Sequence, residues 1–217
     1  MKSRGRRLRA AVLISGSGTN LQAFIDNVAA GRLDIELALV LSNRGDACGL
    51  ERAKRAGIET DCLPHSGFPD RAAFDAALLE RLDARRPDVV LLAGFMRILS
   101  APFVAHYAGR LLNIHPSLLP LYPGLDTHRR VLDSGDRWHG STVHFVTEDL
   151  DGGPRIIQGR VPVLPDDDPG SLARRVLAIE HRIYPETVRL IAEGRVRYAD
   201  GTVLLDGRPL SEPLQFT

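Results

Sequence analysis

The chain is poor in the residues that mark a specialised environment. Its 217 residues include two cysteines, Cys48 and Cys62, well separated and without a CxxC pattern. This excludes a cysteine-rich zinc or disulfide scaffold. It fits free thiols in a reducing compartment, a lone Cys48–Cys62 bridge being the alternative. Long hydrophobic runs are missing too. The longest near-apolar stretch, Val89–Met96, falls far short of the roughly 20 residues that cross a bilayer. The apolar segment behind the basic start, Ala10–Ile14, stops at Ser15 and is too short for the core of a secretory signal. A cytoplasmic protein without a membrane partner is therefore expected. Nor is there an excess of one charge: 28 Lys and Arg face 27 Asp and Glu. Five of the 28 bases (Lys2, Arg4, Arg6, Arg7, Arg9) lie in residues 1–9, read as a basic tail, which leaves 23 against 27 acids elsewhere. That balance excludes the basic footprint of a nucleic-acid binder. With no HExxH motif and no clustered cysteines, no metal site is expected.

What is present is an ordinary globular composition, 44% hydrophobic and 25% charged, in a chain long enough to bury about 70% of its unfolded surface without staples. Short β-rich runs (11–14, 37–41, 58–63, 89–92, 111–114) alternate with segments of helical spacing (21–30, 46–56, 70–85). This rhythm predicts βαβ units and an α/β, doubly wound, mostly parallel sheet. After residue 140 the rhythm changes. Thr142–Val146 and Ile156–Val163, separated by the turn-rich 149–154, read as an antiparallel pair. A long helix over 171–193 and a hairpin over 198–205 follow. We read a single domain over 1–217: the tail, a nucleotide-binding-like half over 10–140 and a β-rich half over 141–217.

Ligands of open α/β sheets bind beyond the carboxyl ends of the strands, and three unusual segments lie at or near strand ends. The first, Ile14-Ser15-Gly16-Ser17-Gly18-Thr19-Asn20, joins a strand to a helix. Its glycines and helix N–H groups suit a phosphate, and a plain tight turn with Thr19 as N-cap is the alternative. It is neither a dinucleotide fingerprint, since Leu21 stands where glycine is required, nor a Walker loop, which needs Gly-Lys-Ser/Thr. In the second, Asn113 and His115 stand two apart on a strand and so share a face. A histidine can move a proton and an amide can donate to a developing oxyanion, whereas an isolated histidine in a turn would be structural. The third, Asp149-Leu150-Asp151-Gly152-Gly153-Pro154, is a turn former or a bent loop carrying a carboxylate toward a histidine elsewhere.

At Asn113-Ile114-His115-Pro116-Ser117-Leu118-Leu119-Pro120 the chain closely resembles the folate-dependent formyltransferases. Ile14–Asn20, Leu92–Leu99 and Leu150–Pro154 match in the same order. Together they resemble the members that formylate phosphoribosylglycinamide in de novo purine biosynthesis. The resemblance implies a Rossmann-like fold, 10-formyltetrahydrofolate as co-substrate, no metal, and a monomer or homodimer. It implies Asn113, His115 and Asp151 as the catalytic trio. Gly16, Gly18, Thr19 and Asn20 would take the substrate phosphate and Glu180 the ribose. Arg71 would meet the folate tail. Met96, Arg97, Ile98 and Leu99 would line the folate pocket, with Asn113 and the loop Thr147, Glu148, Asp149, Leu150 and Asp151 along the pterin. The chain departs from the pattern of some relatives at Leu121, Asp126 and Leu177.

The implied chemistry is direct attack of the amine on the formyl carbon, with no covalent enzyme intermediate. Asn113 and His115 would stabilise the oxyanion, and Asp151 would orient the imidazole. Within the family, deformylases carry a domain ahead of the core, and methionyl-tRNA formyltransferases carry a β-barrel behind it. Here the first strand begins near residue 10 and only a short segment follows Glu193, so neither is expected. A non-catalytic nucleotide-binding module would use the glycine loop alone and leave Asn113, His115 and Asp151 without a role.

Overall fold

The computed structural model describes residues 6–216. Contacts divide the chain into two compact units, 1–103 and 104–217. The first runs β1 (Leu8–Ile14), α1 (Thr19–Ala29), β2 (Ile35–Ser42), α2 (Cys48–Arg55), β3 (Thr60–Cys62), α3 (Arg71–Asp83) and β4 (Val89–Leu92). Its strands are all parallel in the order β4-β1-β2-β3, with Val12 opposite Val40 on one side and Leu91 on the other. The last five residues of β1 and all of β4 are buried, as their unbroken apolar runs require of a sheet covered on both faces. Helices stop where glycine supplies a left-handed residue: Gly31 (φ 69°) after α1 and Gly57 (φ 70°) after α2. Asp70 caps α3 by accepting from the Ala73 N–H at 2.8 Å.

The strand begins earlier than its apolar core. Leu8 and Arg9 pair with Ile35 and Glu36. Arg6, Arg7 and Arg9 form ion pairs with Asp88, Asp34 and Glu36. Of the basic tail expected over 1–9, Leu8 and Arg9 belong to β1, while Arg6 and Arg7 stay exposed ahead of it; residues 1–5 lie outside the described residues.

A short helix, α4 (Ala101–His106), spans the division. The second unit continues with β5 (Leu111–His115), α5 (Thr127–Ser134), β6 (Trp138–Phe145), β7 (Arg155–Pro162) and α6 (Pro169–Ala192). It ends with β8 (Val196–Ala199), β9 (Thr202–Leu205), β10 (Arg208–Pro209) and β11 (Leu214–Phe216). Strands β5, β6 and β7 pair antiparallel and β11 adds parallel to β7, while β8–β10 form a separate antiparallel sheet. The α/β class with an antiparallel C-terminal part is thus as the sequence predicts. Helix α6 starts with a capping box between Asp168 and Ser171 and carries Pro169 in its first turn. It packs directly on the β7 backbone: a Cβ at Gly159 would stand 2.3 Å from Cγ1 of Ile179. Among the described residues no helix is long and apolar enough to cross a membrane, and both cysteines are free thiols.

Candidate active site

In the first unit the segment 14–20 turns sharply between β1 and α1. Gly18 has φ 67°, and a Cβ there would lie 2.6 Å from the Gly49 Cα, so both the backbone angle and the close approach of α2 demand glycine. Gly18, not Thr19, occupies the N-cap, and no side chain caps α1. The Thr19 cap of the alternative reading fails because the left-handed turn at Gly18 already places Thr19 inside the helix. The loop is braced by α2, since the Gly49 N–H donates to the Gly16 carbonyl at 3.0 Å and Arg52 Nε donates to the Ser17 carbonyl at 2.8 Å. Arg52 thereby sets a fixed cation beside a helix start that is itself suited to anions. No sequence signal marked Arg52, which lies in an ordinary charged helix far along the chain.

The same unit holds the segment after β4. Gly94 turns at φ 77°, and beyond it Met96 and Ile98 are 71% and 64% exposed. Two large apolar side chains in water on one short loop suit contact with a flat organic ligand. The Arg97 guanidinium lies 5.0 Å over the Phe74 ring of α3, and the Ser100 N–H donates to Asp75 at 2.6 Å. Leu99 is half-buried, and Arg71 stands exposed at the first turn of α3.

The second unit assembles the proposed trio. Asn113 and His115 share a face at the end of β5, and Asp151 reaches His115 from the loop after β6, with its Oδ1 3.8 Å from Nε2 of His144. Oδ2 of Asp151 is 3.4 Å from Nδ1 of His115 and accepts from the Gly124 N–H at 2.9 Å. The bend that presents Asp151 (φ 52°) depends on the glycines behind it, since a Cβ at Gly153 would overlap the Phe145 carbonyl oxygen at 1.9 Å. The other imidazole nitrogen, Nε2, faces the Tyr122 carbonyl at 2.9 Å. Both ring nitrogens of His115 thus look onto oxygen, an arrangement suited to a histidine that carries and passes protons. Thr147 is half-buried and Glu148, Asp149 and Leu150 are exposed around that bend. A cleft of about 580 Å³ opens on it, lined among others by Asp149, Asp151, Arg155 and Tyr198.

Three residues that the sequence reading missed complete this cluster. His144 on β6 is 2% exposed. Its Nδ1 lies 2.9 Å from the Phe145 carbonyl and its Nε2 lies 3.3 Å from Nδ2 of Asn113. Burial pushes His144 below the usual histidine range, against the pull of Asp151, which favours the neutral ring beside Asn113. Ser141 Oγ donates to the His115 carbonyl at 2.7 Å and stands 3.2 Å from Glu180 Oε1, which ties buried Glu180 on α6 to the same strand end. Further along β6, His139 is 1% exposed, and its Nε2 lies 3.0 Å from Nδ1 of His128 on α5. The strand alternation that hid His144 and Ser141 among core positions carried no mark of function.

Comparison with known proteins agrees with this geometry. A family model described as formyl transferase matches residues 8–188. The phosphoribosylglycinamide formyltransferase of Escherichia coli is 52% identical over 203 residues, covering 94% of this chain and 96% of that protein. The solved phosphoribosylglycinamide formyltransferase of Coxiella burnetii superposes with a TM-score of 0.94 at 50% identity, covering 98% of this chain and all of that one. The glycinamide ribonucleotide transformylase 1 of Symbiobacterium toebii gives a TM-score of 0.90 at 50% identity, covering 94% and 97% of the two chains. The chain belongs to the formyl transferase family.

Proposed function

We propose that this protein moves the formyl group of 10-formyltetrahydrofolate onto the primary amine of phosphoribosylglycinamide, in the cytoplasm and as a step of purine biosynthesis. The observation that carries the reading is the cluster at the end of β5 in the second unit, where His115 meets Asp151 and half-buried Asn113 is joined to them through His144, supported by the names of the similar proteins. The amine attacks the formyl carbon, a C–N bond forms, and the carbonyl oxygen becomes an oxyanion. Nδ2 of Asn113 keeps one N–H for that oxyanion, because the other is spent on His144. His115, oriented from Nδ1 by Asp151, turns Nε2 from the Tyr122 carbonyl to the reacting centre. A proton leaves the amine, reaches the folate nitrogen through His115, and the bond from that nitrogen to the formyl carbon breaks. Such a shuttle is typically worth about 10²–10⁴ in rate.

In the same reading Gly16, Gly18, Thr19 and Asn20 hold the phosphate with Arg52 beside them, and Glu180 takes the ribose. Arg71, Met96–Leu99 and Thr147–Asp151 receive the folate. The test is a formyl-transfer assay with phosphoribosylglycinamide, water or initiator tRNA as acceptor. Transfer to phosphoribosylglycinamide alone is expected. Formate release regardless of amine would make the protein a deformylase, and tRNA formylation would replace the acceptor.

A further inference from the structure

We propose that Ser15 is a positioning residue that ties the phosphate loop to the segment 96–99, so that an anion held at Gly18–Asn20 orders the backbone of Met96. The inference rests on the phosphate reading of that loop and adds to it a route between the two halves of the first unit's site.

Ser15 is the first residue beyond β1 and is 6% exposed. It makes three directed hydrogen bonds. Its N–H donates to the Gly94 carbonyl at 3.1 Å, its hydroxyl oxygen accepts from the Met96 N–H at 2.8 Å, and its hydroxyl proton goes to Asn43 Oδ1 at 2.6 Å. A backbone N–H can only donate and an amide oxygen can only accept, so the hydroxyl has one way to satisfy both. With its Oδ1 toward Ser15, Asn43 turns Nδ2 to Nδ1 of His65 at 3.3 Å, a nitrogen that also lies 3.2 Å from the Asn43 carbonyl oxygen. Asn43 is itself buried, 3% exposed, at the carboxyl end of β2. One short side chain therefore pins the ends of β1, β2 and the turn after β4.

Beyond that turn the segment is held through Arg97 over Phe74 and the Ser100 bond to Asp75, while the Met96 and Ile98 side chains are 71% and 64% exposed. The phosphate loop begins at the next residue: the Gly16 carbonyl accepts from the Gly49 N–H at 3.0 Å. A displacement or stiffening of 16–18 therefore reaches Met96 through a buried hydroxyl, not through solvent. Coupling of this kind is reciprocal, so whatever orders Met96 also favours the anion-bound loop. Alanine at 15 would leave the Met96 N–H without its acceptor and Asn43 without its donor, while keeping the backbone bond to Gly94.

The experiment is amide-resolved hydrogen exchange on the whole protein, with and without saturating inorganic phosphate, for the wild type, Ser15→Ala and Ser15→Thr. Phosphate is expected to slow exchange at Gly18–Asn20 in all three proteins. At Met96 it should slow exchange about fivefold or more in the wild type and Ser15→Thr, but not in Ser15→Ala. Slowing at Gly18–Asn20 with none at Met96 in the wild type overturns the role of Ser15 and leaves the phosphate reading standing. No slowing at Gly18–Asn20 removes the phosphate from the loop, and the inference falls with it. Equal slowing at Met96 in wild type and Ser15→Ala also overturns it. Should Ser15→Ala fail to fold, the wild-type pattern decides alone. In turnover, a positioning role predicts that Ser15→Ala raises KM for the folate about tenfold with a smaller change in kcat, and that Ser15→Thr restores it.

Discussion

His144 sets the orientation of the Asn113 amide. Nδ1 of His144 lies 2.9 Å from the Phe145 carbonyl, which makes it the protonated nitrogen and leaves Nε2 as an acceptor. Only the amide nitrogen of Asn113 can donate to it, across 3.3 Å. Asn113 cannot flip without facing oxygen to that lone pair, so in the proposed reaction its second N–H would be the one offered to the oxyanion.

His144→Leu is therefore expected to lower kcat with little change in either KM. A lost oxyanion donor costs about 10²–10³ in rate, and a donor left free to rotate should cost about tenfold to a hundredfold. Steady-state kinetics on a variant with an unchanged circular-dichroism spectrum checks this. A KM effect without a kcat effect would place His144 in binding instead.

Asp151→Asn separates charge from geometry. Asparagine can still accept from the Gly124 N–H, the bond of 2.9 Å that holds the loop, but it offers His115 no negative partner. We expect kcat to fall by about 10²–10⁴, the range of a lost acid–base group, while the unfolding midpoint stays near that of the wild type. Turnover within threefold of wild type would take Asp151 out of the catalytic trio.

Much of this was legible from residue order, for reasons that differ by element. β4 and the Ala10–Ile14 stretch of β1 read as buried strands because nothing polar interrupts them, and Asn113 and His115 read as partners because a strand puts positions two apart on one face. Helix α5 did not: it buries only Thr127 and Val131, too narrow a stripe to show a period. Strand β11 pairs with β7 through three residues far away in sequence, and no local pattern announces such a pairing. Arg9 misled because it looks solvated until Glu36 on the neighbouring strand and the Arg85 carbonyl are brought opposite it. His144, Ser141 and Arg52 act through partners that only the fold supplies.

The glycines of the first unit give a matched pair. Gly18 and Gly31 have nearly equal φ, 67° and 69°, but a Cβ at Gly18 would strike the Gly49 Cα at 2.6 Å while one at Gly31 meets nothing within 4 Å among the described residues. Gly31→Ala should cost only the left-handed strain of about 1–2 kcal/mol. Gly18→Ala should cost more, because α2 must move, and it should also raise KM for the phosphorylated substrate. Urea unfolding of the two variants supplies the comparison; equal losses would mean that α2 yields freely to the loop.

The pair His128–His139 makes stability depend on pH. Nδ1 of His139 is buried with no hydrogen-bond partner among the described residues, so a proton there would be unsatisfied. His139 is best protonated on Nε2 alone, donating across 3.0 Å to Nδ1 of His128. Burial first, then His128 and His115, push His139 down to about 4, and burial lowers His128 as well. An unfolded histidine takes its proton near 6.5. The unfolded chain thus binds more protons between those values, and the folded state loses ground as the pH falls from 6.5 toward 4. After allowance for solvent screening the effect at His139 is about 2 kcal/mol. His139→Gln removes the titration, so its unfolding midpoint should decline less between pH 7 and pH 5 than that of the wild type, even if it starts lower. Parallel declines in the two proteins would show that other groups govern the acid limb.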